Sequence, residues 1–274
     1  MVFRVGHSGL LGRVTDRRSD GHTSLARRVG GAFRRVVRAC AHGLVPPTCL
    51  ACDARVDDQG MVCATCWQDI TFLDRPWCAV TGVPFSYDPG PGALSPQAIA
   101  FPPPFEKARA AVLYTGKART LVHGLKFSDR SDLAPWMAAW MLRAADDVVE
   151  DGAVVIPVPL HPRRLWQRRS NQSADLGRYF ARLAALPYHP DWLMRIKATR
   201  QQVGLGLKAR QRNVQGAFRV PQAARAHLKG RTVLLIDDVF TTGATLNSCT
   251  RALKRAGAAR VNCLTFARVA PELD

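Results

Sequence analysis

Residues 232–245, Thr-Val-Leu-Leu-Ile-Asp-Asp-Val-Phe-Thr-Thr-Gly-Ala-Thr, restrict the fold more than any other stretch of this 274-residue chain. Four consecutive apolar residues, Val233 to Ile236, suit a strand covered on both faces. Two carboxylates, Asp237 and Asp238, stand at its carboxyl end. A loop of small residues then opens a helix over 245–255, with Leu246, Cys249 and Leu253 on one face. Such a Thr/Gly loop turns successive backbone N–H groups into a concavity backed by the positive end of a helix. Gly243 permits the close main-chain approach a phosphate needs, and each charge-assisted bond from a Thr hydroxyl contributes about 1.5–3 kcal/mol. The paired acids would repel a phosphate, so they suit the vicinal hydroxyls of a ribose with a divalent ion nearby. Taken alone, a plain strand end and a Thr-capped helix would read the same way. The chain has neither a Gly-x-x-x-x-Gly-Lys loop nor a Gly-x-Gly-x-x-Gly fingerprint.

Upstream, strands alternate with helices from Phe105 onward. Residues 108–114, 154–158 and 261–266 read as strands, and 117–127, 133–146 and 171–185 as helices, the last with Ala174, Tyr179, Phe180 and Leu183 inward. This alternation predicts an α/β fold, an open and mainly parallel sheet covered by helices. Residues 105–274 would form that domain. Before it lie a disordered basic arm (1–24), an amphipathic basic helix (25–45), a cysteine-dense module (46–82) and a Pro/Gly-rich linker (83–104). The helix at 25–45 suits docking on the next module as well as membrane-surface or nucleic-acid contact.

Cys49-x2-Cys52-x10-Cys63-x2-Cys66 forms two Cys-x-x-Cys knuckles in a chain without an apolar signal core at its start. That pattern argues for a structural tetrathiolate Zn²⁺ rather than disulfides. A metal also explains how a stretch with few aliphatics folds, since zinc is worth about 10 kcal/mol or more to such a module. Cys78 stands in Trp77-Cys78-Ala79-Val80-Thr81, where a second knuckle would need cysteine in place of Thr81, so no second complete site is expected. Cys40, Cys249 and Cys263 read as small core residues.

The formal net charge of +18 brings polyanions into the list of partners. The excess gathers in residues 1–45, 161–182 and 195–219, the last holding seven Lys or Arg and no acid. The two internal clusters fall in loops next to strand ends, where open α/β sheets bind anionic ligands. No apolar run approaches the roughly 18–20 residues of a membrane span, and a cytoplasmic location is expected.

The strand, the Asp-Asp pair and Thr-Thr-Gly-Ala-Thr together resemble the 5-phosphoribosyl-1-pyrophosphate (PRPP) loop of type I phosphoribosyltransferases. With the four cysteines, residues 45–270 resemble the ComF family of competence-associated proteins, which joins a zinc ribbon to that transferase fold. The resemblance implies that Asp237 and Asp238 hold the ribose hydroxyls and that Thr241, Thr242, Gly243, Ala244 and Thr245 cradle the 5-phosphate. His161-Pro162-Arg163-Arg164 resembles the pyrophosphate loop, Arg163 and Arg164 (with Arg168 and Arg169 beyond) facing the leaving group, and Asn171-Gln172 matches the pair usual after it. Arg200, Gln201 and Gln202 fall in the resemblance to the flexible loop that closes over PRPP. Lys126 is a further phosphate candidate, and a solvated Lys would read equally well there.

The implied reaction displaces pyrophosphate from the anomeric carbon of PRPP, with Mg²⁺ on PRPP oxygens, by a nitrogen nucleophile from a nucleobase or amine; no side chain stands out as general base. The cysteines are not placed for glutamine hydrolysis. A second reading is a single-stranded-DNA-handling protein of natural transformation that responds to PRPP and works with competence helicase machinery. Trp166, between basic clusters, would stack on a base or pack in a core.

Overall fold

The computed structural model describes residues 46–127, 130–162, 165, 170–197 and 214–269. The arm at 1–24, the helix at 25–45, Arg163, Arg164, Trp166, Arg168, Arg169, Arg200, Gln201 and Gln202 lie outside these residues. Residues from Thr48 onward belong to one compact unit.

Two one-turn helices, α1 (Ala64–Gln68) and α2 (Pro96–Ala100), precede the sheet. Then follow β1 (Ala108–Leu113), α3 (Gly116–Phe127), α4 (Ala134–Arg143), β2 (Val154–Pro157) and α5 (Gln172–Leu183). A short antiparallel pair, β3 (Met194–Arg195) and β4 (Phe218–Arg219), leads to α6 (Gln222–Leu228), β5 (Thr232–Phe240), α7 (Ala244–Arg255) and β6 (Arg260–Arg268). The main sheet has the order β1-β6-β5-β2, and every pairing in it is parallel.

Side chains alternate along β5 as a pleated strand requires. Leu234 and Ile236 join Leu264 and Phe266 of β6 on one face, under Leu121 and Leu125 of α3, Met137 and Met141 of α4, and Leu176 and Phe180 of α5. Val233 and Leu235 join Val261 and Cys263 on the other face, under Leu246, Cys249 and Leu253 of α7 and Leu228 of α6. Both faces are therefore closed, which is why the strands read as continuous apolar runs.

Several boundaries differ from the sequence reading. Strand β5 does not stop at Ile236: its pairing with β6 continues to Phe240↔Arg268, so both acids lie within the strand. The helix expected over 133–146 is split into a 3-10 turn at Ser131–Leu133 and α4, because Pro135 lacks the N–H of a helix interior and fits only the first turn. In α5 the inward face is Ser173, Leu176, Gly177 and Phe180, while Leu183 is 43% exposed. That stripe is the one a 3.6-residue period draws through Phe180.

The cysteine module packs on the same face as α3 and α4. Cys49, Leu50, Cys66 and Ile70 belong to the core built by Leu121, Met137 and Phe266. Trp67 meets Trp140 edge-on at 5.8 Å, and Trp140 stacks on Phe266 at 5.9 Å.

Candidate functional site

At the carboxyl end of β5 the chain turns through Thr241, Thr242 and Gly243 into α7. Gly243 has φ +74°, which favours glycine, and a Cβ there would stand a tight 3.1 Å from Phe240 Cζ. The first N–H groups of α7 have no carbonyl one turn back within the helix, which leaves them directed at the loop. Thr242 Oγ1 is buried and has no hydrogen-bond partner among the described residues. A group with acceptor oxygens seated in this turn would satisfy it, and a phosphate has that chemistry.

The two acids differ in surroundings. Asp237 Oδ1 accepts a hydrogen bond from Ser173 Oγ at 2.8 Å and another from the N–H of Asp238 at 2.9 Å. Burial, reinforced by the adjacent Asp238 charge, pushes the Asp237 carboxyl up to about 7 against the opposing pull of those donors and of Lys126. Lys126, in the last turn of α3, places Nζ 2.8 Å from Asp238 Oδ2. Burial works to lower the Lys126 pKa, yet Asp238 and then Asp237 outweigh it and hold the ammonium above its ordinary value. The candidate cation thus sits on the second acid of the pair.

The chain leaving β2 runs beside β5 immediately before the acid pair. Val158 N–H donates to Ile236 O at 2.8 Å, and Asn171 Nδ2 donates to Val158 O at 3.1 Å. Asn171 is the N-cap of α5, and Ser173 in its first turn reaches Asp237. The start of α5 therefore ties the exit of β2 to the acid pair. Close packing makes this possible: a Cβ on Gly177 would already be 3.2 Å from Tyr188 and 3.7 Å from Ile236.

Sequence reasoning missed Ser173 and Phe240. Ser173 carried a signal in being polar one turn before the inward Gly177 and Phe180 of the same helix. Phe240 carried none, since only its position under Gly243 gives it a role.

The four cysteines Cys49, Cys52, Cys63 and Cys66 converge, all four Sγ atoms lying within 4.8 Å of one another. Cys52 and Cys63 Sγ are 3.7 Å apart. Zn–S bonds of about 2.3 Å in a tetrahedron set sulfurs about 3.8 Å apart, so the donor set fits zinc. Cys49 Sγ also accepts the N–H groups of Cys63 and Ala51 at 3.3 and 3.4 Å. Burial alone would raise the Cys49 thiol, but these donors prevail and bring it down to about 7.

The class of protein is thereby defined: a phosphoribosyltransferase fold carrying a zinc-ribbon-like module at its N-terminal side. Residues 40–98 match the double zinc ribbon domain family, and residues 195–272 match the phosphoribosyl transferase domain family. DNA utilization protein YhgH of Salmonella typhimurium is 30% identical over 196 residues, covering 70% of this chain and 83% of that protein. Competence protein F of Haemophilus influenzae is 35% identical over 114 residues, 42% of this chain and 49% of that one. Among solved structures, the Bacillus subtilis glutamine PRPP amidotransferase complexed with ADP and GMP overlaps with a TM-score of 0.35 at 20% identity, over 52% of this chain and 30% of that one. The chain belongs to the ComF family.

Proposed function

We propose that this chain binds PRPP with Mg²⁺ at the turn after β5 and transfers the phosphoribosyl group to a nitrogen nucleophile, in the service of DNA uptake or utilisation. The single observation that carries the reading is the juxtaposition of the acid pair with the left-handed Gly243 turn, where the buried Thr242 hydroxyl has no partner among the described residues. In this reading Thr241–Thr245 hold the 5-phosphate, and Asp237 and Asp238 accept the ribose hydroxyls. Mg²⁺ carried on PRPP oxygens supplies neutralisation of the pyrophosphate charge. The nucleophile forms its bond to the anomeric carbon as the carbon–oxygen bond to pyrophosphate breaks. Arg163 and Arg164 stabilise the departing anion, and the loop holding Arg200, Gln201 and Gln202 excludes water. Lys126 holds Asp238 in place through their 2.8 Å ion pair. The Cys49, Cys52, Cys63 and Cys66 thiolates hold a structural Zn²⁺. Incubation of the full chain with PRPP, Mg²⁺ and a panel of nucleobases and amines should release pyrophosphate with at least one acceptor. Calorimetry that detects no PRPP binding would remove the proposal.

Charge supports a second reading, in which PRPP is a signal and single-stranded DNA the object handled. The chain carries +18, with seven Lys or Arg and no acid over 195–219, and its relatives are named for DNA utilization and competence. Each phosphate neutralised contributes a slope of about −0.7 in log affinity against log salt. Affinity for an oligonucleotide should therefore fall at least tenfold between about 50 and 200 mM salt in a polarisation titration; salt-independent or undetectable binding would exclude this reading.

A further inference from the structure

The segment around Cys78 repeats the geometry of the first cysteine knuckle bond for bond. In the first, Thr48 bridges Arg55, Cys49 N–H donates to Ala54 O, and Asp53 N–H, at φ +59°, donates to Cys49 O. In the second, Trp77 bridges Pro84, Cys78 N–H donates to Val83 O, and Gly82 N–H, at φ +65°, donates to Cys78 O. The return knuckles correspond as well. Cys63 N–H donates to Cys49 Sγ at 3.3 Å and caps α1; Ser95 N–H donates to Cys78 Sγ at 3.2 Å and caps α2. Residue by residue, Cys49, Cys52, Cys63 and Cys66 fall on Cys78, Thr81, Ser95 and Ala98.

A thiol, two hydroxyls and a methyl are not a zinc donor set. The double ribbon of the family thus meets here a second ribbon whose metal has no ligands. Yet the ribbon keeps its shape, and the reason lies in the sheet beside it. Three consecutive knuckle carbonyls are taken by the transferase domain: Ala79 O by Arg109 Nη2 at 2.9 Å, Val80 O by the N–H of Ala108 at 2.7 Å, and Thr81 O by Arg268 Nη1 at 2.6 Å. Both guanidiniums are buried, Arg109 and Arg268 each being 3% exposed. Arg109 is further fixed by Asp147 and lies over the Trp77 ring at 5.1 Å, while Arg268 lies over the Phe240 ring at 4.9 Å.

We infer that residues 77–100 are a metal-free ribbon, in which the clamp of Arg109 and Arg268 on the knuckle carbonyls does the cross-linking a second zinc would do, so that the chain carries one zinc and not two. Most of the segment 83–104 then belongs to a ribbon rather than to a linker. The remaining thiol fits this arrangement: burial would raise Cys78, but hydrogen bonds from Thr81 and Ser95 outweigh it and bring it to about 7.

Metal content per chain decides the matter. Mass spectrometry of the purified full chain should give one zinc, unchanged in Cys78→Ser and lost in Cys49→Ser. Two zincs in the natural chain, or loss of zinc in Cys78→Ser, would overturn the inference. Thr81→Cys with Ser95→Cys and Ala98→Cys should raise the ratio to two, and cobalt loading should double the tetrathiolate absorption per chain. A natively folded triple variant that stays at one zinc would refute the equivalence of the two knuckles. Arg109→Met should lower the melting temperature of the natural chain by several degrees, and by less than half as much in the zinc-loaded triple variant. Equal losses in the two backgrounds would show that clamp and metal do different jobs.

Discussion

Withdrawing metal from the Cys49, Cys52, Cys63 and Cys66 site with a chelator is expected to lower the melting temperature of the whole described unit by about 10 °C or more. Four thiolates held within 4.8 Å of one another repel unless a cation lies among them, and zinc contributes about 10–16 kcal/mol to modules of this kind. The loss does not stay local. Leu50 and Ile70 share one core with Val112, Leu121 and Met137, and α1 places Trp67 against Trp140. Re-exposing two or three such side chains costs about 1.5–3 kcal/mol each, and in a domain of this size 1 kcal/mol shifts the melting point by about 2–4 °C. The change should appear both in far-ultraviolet circular dichroism and in tryptophan fluorescence, since Trp67 and Trp140 part when α1 loosens. A chelated chain that melts within 2 °C of the untreated one would mean that packing alone holds the module.

Which parts of this molecule could be read from the sequence follows from how local the information is. Val233–Ile236 and Val154–Pro157 are apolar runs because both faces of their strands are covered, so the sheet was visible without long-range knowledge. The Gly243 turn was equally visible, since a loop that seats an anion needs small residues in unbroken succession. The first ribbon announced itself by ligand spacing. The second did not, because three of its four ligand positions hold Thr81, Ser95 and Ala98, and the bonds that preserve its shape come from Arg109 and Arg268, about thirty and nearly two hundred residues further along. The pair Lys126–Asp238 was hidden for the same reason: it joins the end of α3 to β5 across more than a hundred positions. The extension of β5 past Ile236 was obscured by the acids themselves, which resemble a strand end until β6 is seen pairing beside them as far as Arg268.

Asp237→Asn should make the protein more stable and less able to bind PRPP, and the two effects have one cause. A carboxylate at this position is buried beside Asp238, which holds its proton up to about 7. The folded chain therefore binds that proton more tightly than the unfolded chain does. The carboxyl's contribution is most favourable below its unfolded value near 4 and is lost as pH rises through about 7. Asparagine does not titrate, and its Oδ1 can still accept from Ser173 and from the N–H of residue 238. The variant should thus melt close to the natural chain at pH 5 and above it at pH 8, the gap widening with pH. Asp238→Asn should do the opposite at pH 8, because it removes the carboxylate that Lys126 Nζ meets at 2.8 Å and leaves a part-buried ammonium without its direct partner. Ribose hydroxyls donate to an anion at this site under the proposed function, each bond contributing about 1.5–3 kcal/mol. Either substitution should then weaken PRPP binding by about tenfold to a hundredfold, and both together should abolish it in a calorimetric titration. Stability that rises with Asp237→Asn while affinity stays unchanged would separate the acid pair from the sugar and sink the site; a melting point that falls at pH 8 would show instead that Ser173, the Asp238 N–H and Lys126 favour the carboxylate by more than burial disfavours it. The sign of the stability change is the sharper measurement, since it separates the folding cost of the buried carboxylate from its part in binding.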